Sequence, residues 1–114
     1  MLDAAMEQFE PGCYTPELLR LKGELFLLQS PLASAEAAEE LFRHALDRAR
    51  RQEALSWELR AVTSLARVLC YEGHPADAIA CLQPVYDRFT EGFGTADLIA
   101  AKQLLEQLGE ADRR

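Results

Sequence analysis

Apolar residues recur along this chain at spacings of three and four, which places them on one face of an α-helix. Five such segments are separated by proline, glycine or polar residues, and no long stretch alternates apolar and polar residues with a period of two. The pattern therefore predicts an all-α protein of about five helices. We expect two antiparallel helical hairpins followed by a closing C-terminal helix.

Capping and breaking residues set the predicted helix boundaries. Pro16 suits the first turn of a helix, Ser30-Pro31 stops the helix that precedes it, and Gly73 can adopt the left-handed conformation that ends a helix. The predicted helix starts are Thr15, Ser34, Ser56, His74 and Thr95, and the fifth helix is predicted to end at Gly109. The domain prediction is a poorly ordered or short helical segment over 1–14, a helical domain over 15–110, and a frayed tail over 111–114.

Pro84 lies inside the apolar stripe of the fourth helix. Proline has no N–H for the carbonyl of Ala80, and its ring crowds that carbonyl. The sequence therefore predicts a kink at Pro84 or a break into two short helices.

One pattern of small and bulky residues occurs twice, forty residues apart. The first copy is Ala38, Phe42 and Ala45, and the second is Ala78, Leu82 and Val85. A small residue lets two helix backbones approach, and a bulky residue fills the groove beside it. The pattern, with Gly73 five residues before Ala78, resembles the second helix of a tetratricopeptide (TPR) repeat. The first hairpin departs from that motif in a turn that is extended around 31–34.

The TPR resemblance implies a right-handed α–α superhelix whose first helices line a concave face. Mapping the motif onto this chain gives Glu17, Arg20, Glu24 and Leu27 on the first helix, and Arg60, Thr63, Arg67 and Tyr71 on the third. The candidate partner-binding residues are Arg20, Glu24, Arg60, Thr63, Arg67 and Tyr71. Three arginines in one groove could hold a carboxylate from a peptide tail. Alternatively, they pair with Glu17, Glu24 and Glu58 and bind nothing.

A narrower resemblance involves 17–23, 59–69 and 84–105, and its most specific part is Pro84-Val85-Tyr86 followed by 89–93. These stretches resemble the TPR-like C-terminal tail of large bacterial predicted ATPases, which often carry a class III adenylate or guanylate cyclase or a DNA-binding module. The resemblance implies a regulatory tail in bacterial signalling. It carries over no catalytic part, because no GxxxxGK[ST] phosphate-binding loop is present and no cyclase metal-binding aspartates can be placed. The chain is either a whole protein or part of a larger one.

Self-association is the simplest way to cover the ends of so short an array, since repeat proteins need capped ends. The first helix carries two apolar stripes, one of Leu18, Leu21, Leu25 and Leu28 and one of Leu19 and Phe26. We expect Leu19 and Phe26 at one end, and Ile99 and Leu104 at the other, to be left uncovered. The sequence therefore predicts a homodimer through Leu19, Phe26, Ile99 and Leu104.

Charge and composition narrow the range of partners. The net charge is −7, and an acidic surface repels the phosphates of nucleic acids. No apolar run is long enough to span a membrane, and no secretory signal is recognisable, so we expect a cytoplasmic protein. The expected partner is a protein or peptide rather than nucleic acid or a membrane.

Candidate chemistry is sparse. Cys13, Cys70 and Cys81 lack metal-site spacing and are interpreted as reduced thiols rather than redox or metal groups. His44 and His74 have no metal-ligating partner at a suitable spacing, and the acidic group of Glu36, Glu39 and Glu40 is interpreted as a solvated helix face. Trp57 either packs against the second helix or anchors a partner.

These observations predict a non-enzymatic interaction module without a metal or cofactor. The alternative is a regulatory domain that senses a small anionic molecule in the groove. A pocket closed on several sides would favour the small molecule, and an open groove would favour a protein.

Overall fold

The computed structural model describes residues 15–29 and 31–113. Within these residues the chain is 84 % helical, with five helices and no strand, which confirms the all-α prediction. The helices are α1 (Thr15–Gln29), α2 (Pro31–Arg51), α3 (Leu55–Tyr71), α4 (Pro75–Tyr86) and α5 (Ala96–Arg113). The predicted N-terminal segment 1–14 lies outside the described residues.

Each helix packs mainly on the next one along the chain, and α3 also contacts α1 and α5. Short connections make successive helices antiparallel. The odd-numbered helices thus form one contiguous row, with α2 and α4 packed behind it. The overall extents of 45 × 36 × 20 Å correspond to a slab about two helix diameters thick. The face formed by α1, α3 and α5 carries the candidate site.

The repeated residues of α2 and α4 form the centre of the core. All six are at most 2 % exposed, and they pack with the apolar face of α3 and with Leu98, Ala101 and Leu108 of α5. Their burial confirms the helical register predicted from the repeat. It also explains why α3 has almost no exposed apolar side chain, since α3 is covered from both sides.

Gly23 fixes how α1 lies on α2. A Cβ atom built at Gly23 would lie 2.6 Å from Cε1 of Phe42, and the Phe42 ring is fully buried. Any larger residue at position 23 would therefore push against a ring that has no free space to enter. The close approach of the two helices depends on the missing side chain at Gly23.

The turns after α2 and α3 are built in the same way. Gly73 has φ +87°, and Glu53 has φ +55° at the equivalent place. In each turn the next residue donates its N–H back into the helix, from Ala54 to Ala49 at 2.9 Å and from His74 to Leu69 at 2.8 Å. This is the Schellman arrangement, in which a left-handed residue ends the helix. The cap predicted at Gly73 is confirmed, and Glu53 adopts the same conformation without glycine's freedom.

Two predicted boundaries are wrong. Helix α2 begins at Pro31 rather than Ser34, because proline is well accommodated at a first helical position, where no N–H is required. Helix α5 continues through Gly109 to Arg113 instead of ending at Gly109, and Arg113 donates to the Gly109 carbonyl at 3.2 Å. Helix α4 runs through Pro84 to Tyr86, which excludes a break into two short helices, and the kink stays a prediction.

The two apolar stripes of α1 differ from the prediction in which of them is exposed to solvent. Leu19 packs on the core, and Phe26 is half-buried beneath Lys22, whose Nζ lies 5.7 Å from the ring centroid. At the other end, Leu104 is only 7 % exposed because α5 turns it towards α3 and α4, whereas Ile99 is 43 % exposed as expected. The exposed leucines of α1 are instead Leu21, Leu25 and Leu28. The predicted self-association surface is therefore wrong for Leu19 and Leu104.

Candidate functional site

Three arginines converge where α1, α3 and α5 meet. They line a hollow of about 190 Å³, which we call the arginine pocket. Its lining residues are Arg20, Arg60, Thr63, Ser64, Arg67, Asp97 and Ala100. Arg60, Thr63 and Arg67 share one face of α3 because they are three, four and seven residues apart. The convergence of these arginines with Arg20 of α1 agrees with the mapping made from the sequence.

Two carboxylates hold two of the arginines. Arg20 donates from Nε and Nη2 to the two oxygens of Glu17, at 3.0 and 3.1 Å. Arg60 donates from Nε to Asp97 at 2.8 Å and from Nη1 to Glu17 at 3.4 Å. The hydrogen bond that Arg60 donates to Asp97 raises the pKa of Arg60, the charges of Asp97 and Glu17 raise it further, and desolvation opposes them. Arg20 and Arg60 are therefore fixed in place by partners within the protein.

Arg67 is held by no such partner. Among the described residues its guanidinium makes no ion pair or hydrogen bond, and it is exposed. Arg67 also lines the adjoining pocket, where Glu24 is the acidic residue.

The floor of the arginine pocket carries two hydroxyl groups. Thr63 donates its hydroxyl to the carbonyl of Leu59 at 2.7 Å, so that donor is already used. Ser64 lines the same pocket and is 1 % exposed as a residue. A serine hydroxyl both donates and accepts, so Ser64 can contact a group that enters the pocket.

A second hollow, of about 290 Å³, adjoins the first and is lined almost wholly by apolar surface. We call it the apolar pocket, and its lining residues are Glu24, Leu27, Leu28, Arg67, Val68 and Tyr71. Arg67 lines both hollows, so they form one groove with a cation at the junction. Both open to solvent along the same face.

All six groove residues predicted from the sequence line one of these two pockets. The prediction missed Ser64, Val68 and Leu28, which are one residue or one turn away from mapped positions. It also missed Asp97 and Ala100, which belong to α5 and reach the groove because α5 contacts α3 as well as α4. An acidic residue in the first turn of α5 was the only signal for Asp97 in the sequence.

The predicted pairing of the arginines holds only for Glu17. Glu24 makes no ion pair among the described residues. The side chain of Glu58 is 3 % exposed and accepts from Arg50 at 3.2 Å and from Arg88 at 2.8 and 2.9 Å, away from the groove. This buried carboxylate ties together the end of α2, the start of α3 and the segment after α4.

A separate acidic cluster lies where the end of α3 meets α2. The carboxyl of Glu39 and the burial of Glu72 raise the pKa of Glu72, with a further contribution from Glu36 and an opposing one from His74. One oxygen of Glu72 is buried, and no donor in the described residues reaches it. Two carboxylates can hydrogen-bond to each other only when one is protonated.

The remaining candidates supply no further site. His44 and His74 are exposed, Trp57 is half-buried, and Cys70 and Cys81 are free thiols at the edge of the core. Cys13 lies outside the described residues. Within the part of the chain that the structure describes, no group of three histidine, cysteine or acidic side chains could hold a metal ion. None of the described helices is both long and apolar enough to cross a lipid bilayer.

The chain was compared with known protein families, with curated proteins and with solved structures. None of the three comparisons finds a match.

Proposed function

We propose that this chain is a non-enzymatic, TPR-like interaction module that binds a peptide carrying a carboxylate next to an apolar side chain. The observation that carries the proposal is the junction at Arg67, whose guanidinium makes no ion pair among the described residues and lines both the arginine pocket and the apolar pocket. The row formed by α1, α3 and α5 supports a TPR-like arrangement, since first helices line the concave face in such repeats. The module would act in the bacterial cytoplasm, as the regulatory tail of a signalling ATPase or cyclase.

The two pockets differ in what they can bind. Arg67, whose guanidinium makes no ion pair among the described residues, can offer a carboxylate a two-point hydrogen-bonded contact. Ser64 also lines this pocket, and its hydroxyl can supply a further donor. A hollow of 290 Å³ is large enough for a leucine- or phenylalanine-sized side chain, whose burial contributes roughly 1.5–3 kcal/mol. A peptide ending in an apolar residue presents both groups side by side.

The alternative is a domain that senses a small anionic molecule. The hydroxyl-bearing residues Thr63 and Ser64 at the floor of the arginine pocket favour this reading, because a small anion would reach them more easily than a peptide would. The openness of both hollows to solvent favours the peptide.

Isothermal titration can separate the two functions with three probes. These are a short peptide with a free C-terminal leucine carboxylate, the same peptide with a C-terminal amide, and citrate as a small anion. The peptide proposal expects binding of the acid, at least about tenfold weaker binding of the amide, and no saturable binding of citrate. One lost charge-assisted hydrogen bond, worth about 1.5–3 kcal/mol, accounts for that factor. Saturable citrate binding without peptide binding would favour the small-molecule sensor.

Variants then test the groove itself. Arg67→Gln should weaken the acid to the level of the amide, while Arg43→Gln is the matched control. Arg43 is an exposed helical arginine of α2 that pairs with Glu39 at 3.2 Å, away from the groove. Equal affinity of the two variants, or no peptide binding at all, would contradict the proposed function.

A further inference from the structure

The apolar pocket is lined by two opposite charges from two different helices. Glu24 of α1 is half-buried, Arg67 of α3 is exposed, and both side chains line the same hollow. Neither makes an ion pair within the part of the chain that the structure describes, so they do not pair with each other. A ligand that enters this hollow therefore meets a cation on one helix and a carboxylate on the other.

The charges of the whole groove balance. Glu17 is counted with the two pockets because Arg20 and Arg60 both donate to it. Among the described residues this set has three positive and three negative members, which are Arg20, Arg60 and Arg67, and Glu17, Glu24 and Asp97. A ligand that brings only a carboxylate satisfies Arg67 and leaves the charge of Glu24 without a partner. A ligand that brings a carboxylate and a cation satisfies both and keeps the groove neutral.

We propose that Glu24 selects a peptide with a basic side chain two positions before its terminal apolar residue. This inference rests on the proposed function, since it takes as given the carboxylate at Arg67 and the apolar side chain in the hollow. Lysine and arginine are the side chains that suit Glu24, because they keep their charge at neutral pH. Their apolar stems can also lie along the apolar wall of the hollow while the charged end reaches the carboxylate.

The position of the basic residue follows from the geometry of an extended peptide. Successive side chains of an extended chain point to opposite sides, so those of residues two apart share a side. A basic residue two positions before a terminal leucine thus lies on the same side as the leucine. With the carboxylate at Arg67 on α3, the peptide then runs towards Glu24 on α1.

The overall charge of the protein is a competing cause of a preference for basic peptides. A net charge of −7 attracts any cationic peptide, whatever its sequence. A control variant must therefore remove one negative charge elsewhere. Glu40 is suitable, because it is an exposed glutamate of α2, which lies behind the row of helices that forms the groove.

Isothermal titration with three matched peptides tests the selection. Each peptide ends in a free leucine carboxylate and is acetylated at its N-terminus, and the residue two positions before the leucine is lysine, glutamine or glutamate. The wild-type protein should bind the lysine peptide about two- to fivefold more tightly than the glutamine peptide, which is the effect of a partly exposed ion pair. The glutamate peptide should bind most weakly, and about 1 M salt should reduce the preference for lysine.

Variants assign the preference to one side chain. Glu24→Gln should bind the lysine and glutamine peptides equally, without weaker binding of the glutamine peptide, which also shows that the variant is folded. Glu24→Lys should reverse the order, so that the glutamate peptide binds more tightly than the lysine peptide. Glu40→Gln should keep the wild-type preference.

The outcomes separate this inference from the proposed function. If the wild-type protein binds the lysine and glutamine peptides equally, the selection by Glu24 is overturned and the carboxylate groove stands. Binding of none of the peptides would overturn both. An equal loss of the preference in Glu24→Gln and Glu40→Gln would assign it to net charge and overturn the inference. Saturable binding of free leucine that Glu24→Gln weakens would show that Glu24 binds an α-ammonium group, and would overturn the selection of a basic side chain.

Discussion

Replacing Gly23 with alanine should destabilise the protein, although alanine is the better helix former. In an unconstrained helix the change would stabilise by roughly 0.5–1 kcal/mol. Here the new Cβ would lie 2.6, 3.0 and 3.1 Å from three carbons of the Phe42 ring. Since the ring is fully buried, it can move only by displacing its neighbours.

The size of the effect follows from these opposing contributions. Forcing one methyl group into a packed core costs about 1–3 kcal/mol, so Gly23→Ala should lower the free energy of unfolding by up to about 2 kcal/mol. In a Phe42→Leu background the crowded ring atoms are absent, and the same change should stabilise by about 0.5–1 kcal/mol. The second hairpin already pairs an alanine with a leucine, because Ala66 and Leu82 occupy the positions that correspond to Gly23 and Phe42. Both are fully buried.

A double-mutant cycle measured by urea denaturation, with far-ultraviolet circular dichroism as the signal, checks the reasoning. The predicted coupling between positions 23 and 42 is roughly 1–3 kcal/mol, and the effect of Gly23→Ala changes sign between the two backgrounds. Gly94→Ala is the control, because nothing lies within 4 Å of a Cβ at that position. Additive effects, or a Gly23→Ala protein more stable than wild type, would refute the close helix approach.

Three further predictions concern glutamates. Glu53→Gly should raise the free energy of unfolding by roughly 0.5–1 kcal/mol in chemical denaturation, because glycine adopts the positive φ of that turn without strain; a loss of stability would contradict the turn geometry. The pKa of Glu72 is raised in the folded protein, so folding favours its protonated form. The stability gained in this way is fully present below the ordinary glutamate pKa of about 4.3, and it is lost as the pH rises through the raised pKa of the folded protein. Glu72→Gln should therefore stabilise the protein at pH 7 and have little effect at pH 4, and an effect independent of pH would count against the contact with Glu39. Glu58→Ala should lower the thermal midpoint, at a cost of about 1–3 kcal/mol, because it removes a buried carboxylate that accepts from two arginines.

The core could be predicted from the sequence because α2 and α4 each have a single apolar stripe. When only one face is apolar, the helical period decides what is buried, and the repeat of Ala38 at Ala78 confirmed the register. Helix α1 is different, since leucines or phenylalanine occur on most of its circumference. Its buried face is chosen by the fit of Gly23 against Phe42, and periodicity alone carries no information about that contact.

The groove was only partly predictable, for a related reason. The spacing of Arg60 and Arg67 fixes their common face through local geometry, which a sequence displays directly. The partners of these arginines depend on long-range packing, and Asp97 reaches Arg60 across 37 residues of chain. Which arginine makes no ion pair among the described residues is therefore a property of the folded protein.

The packing of each helix on the next has a consequence for how this protein folds. Most contacts in the described domain join segments close in sequence, and α3 reaches further only to α1 and α5. Chains with such low contact order fold in microseconds to milliseconds, because little loop entropy is lost before contacts form. Since α3 takes part in every longer-range contact, we expect the folding transition state to contain α3 with one neighbour already docked. The outer helices α1 and α5 would then add afterwards, and substitutions in them should act mainly on the unfolding rate.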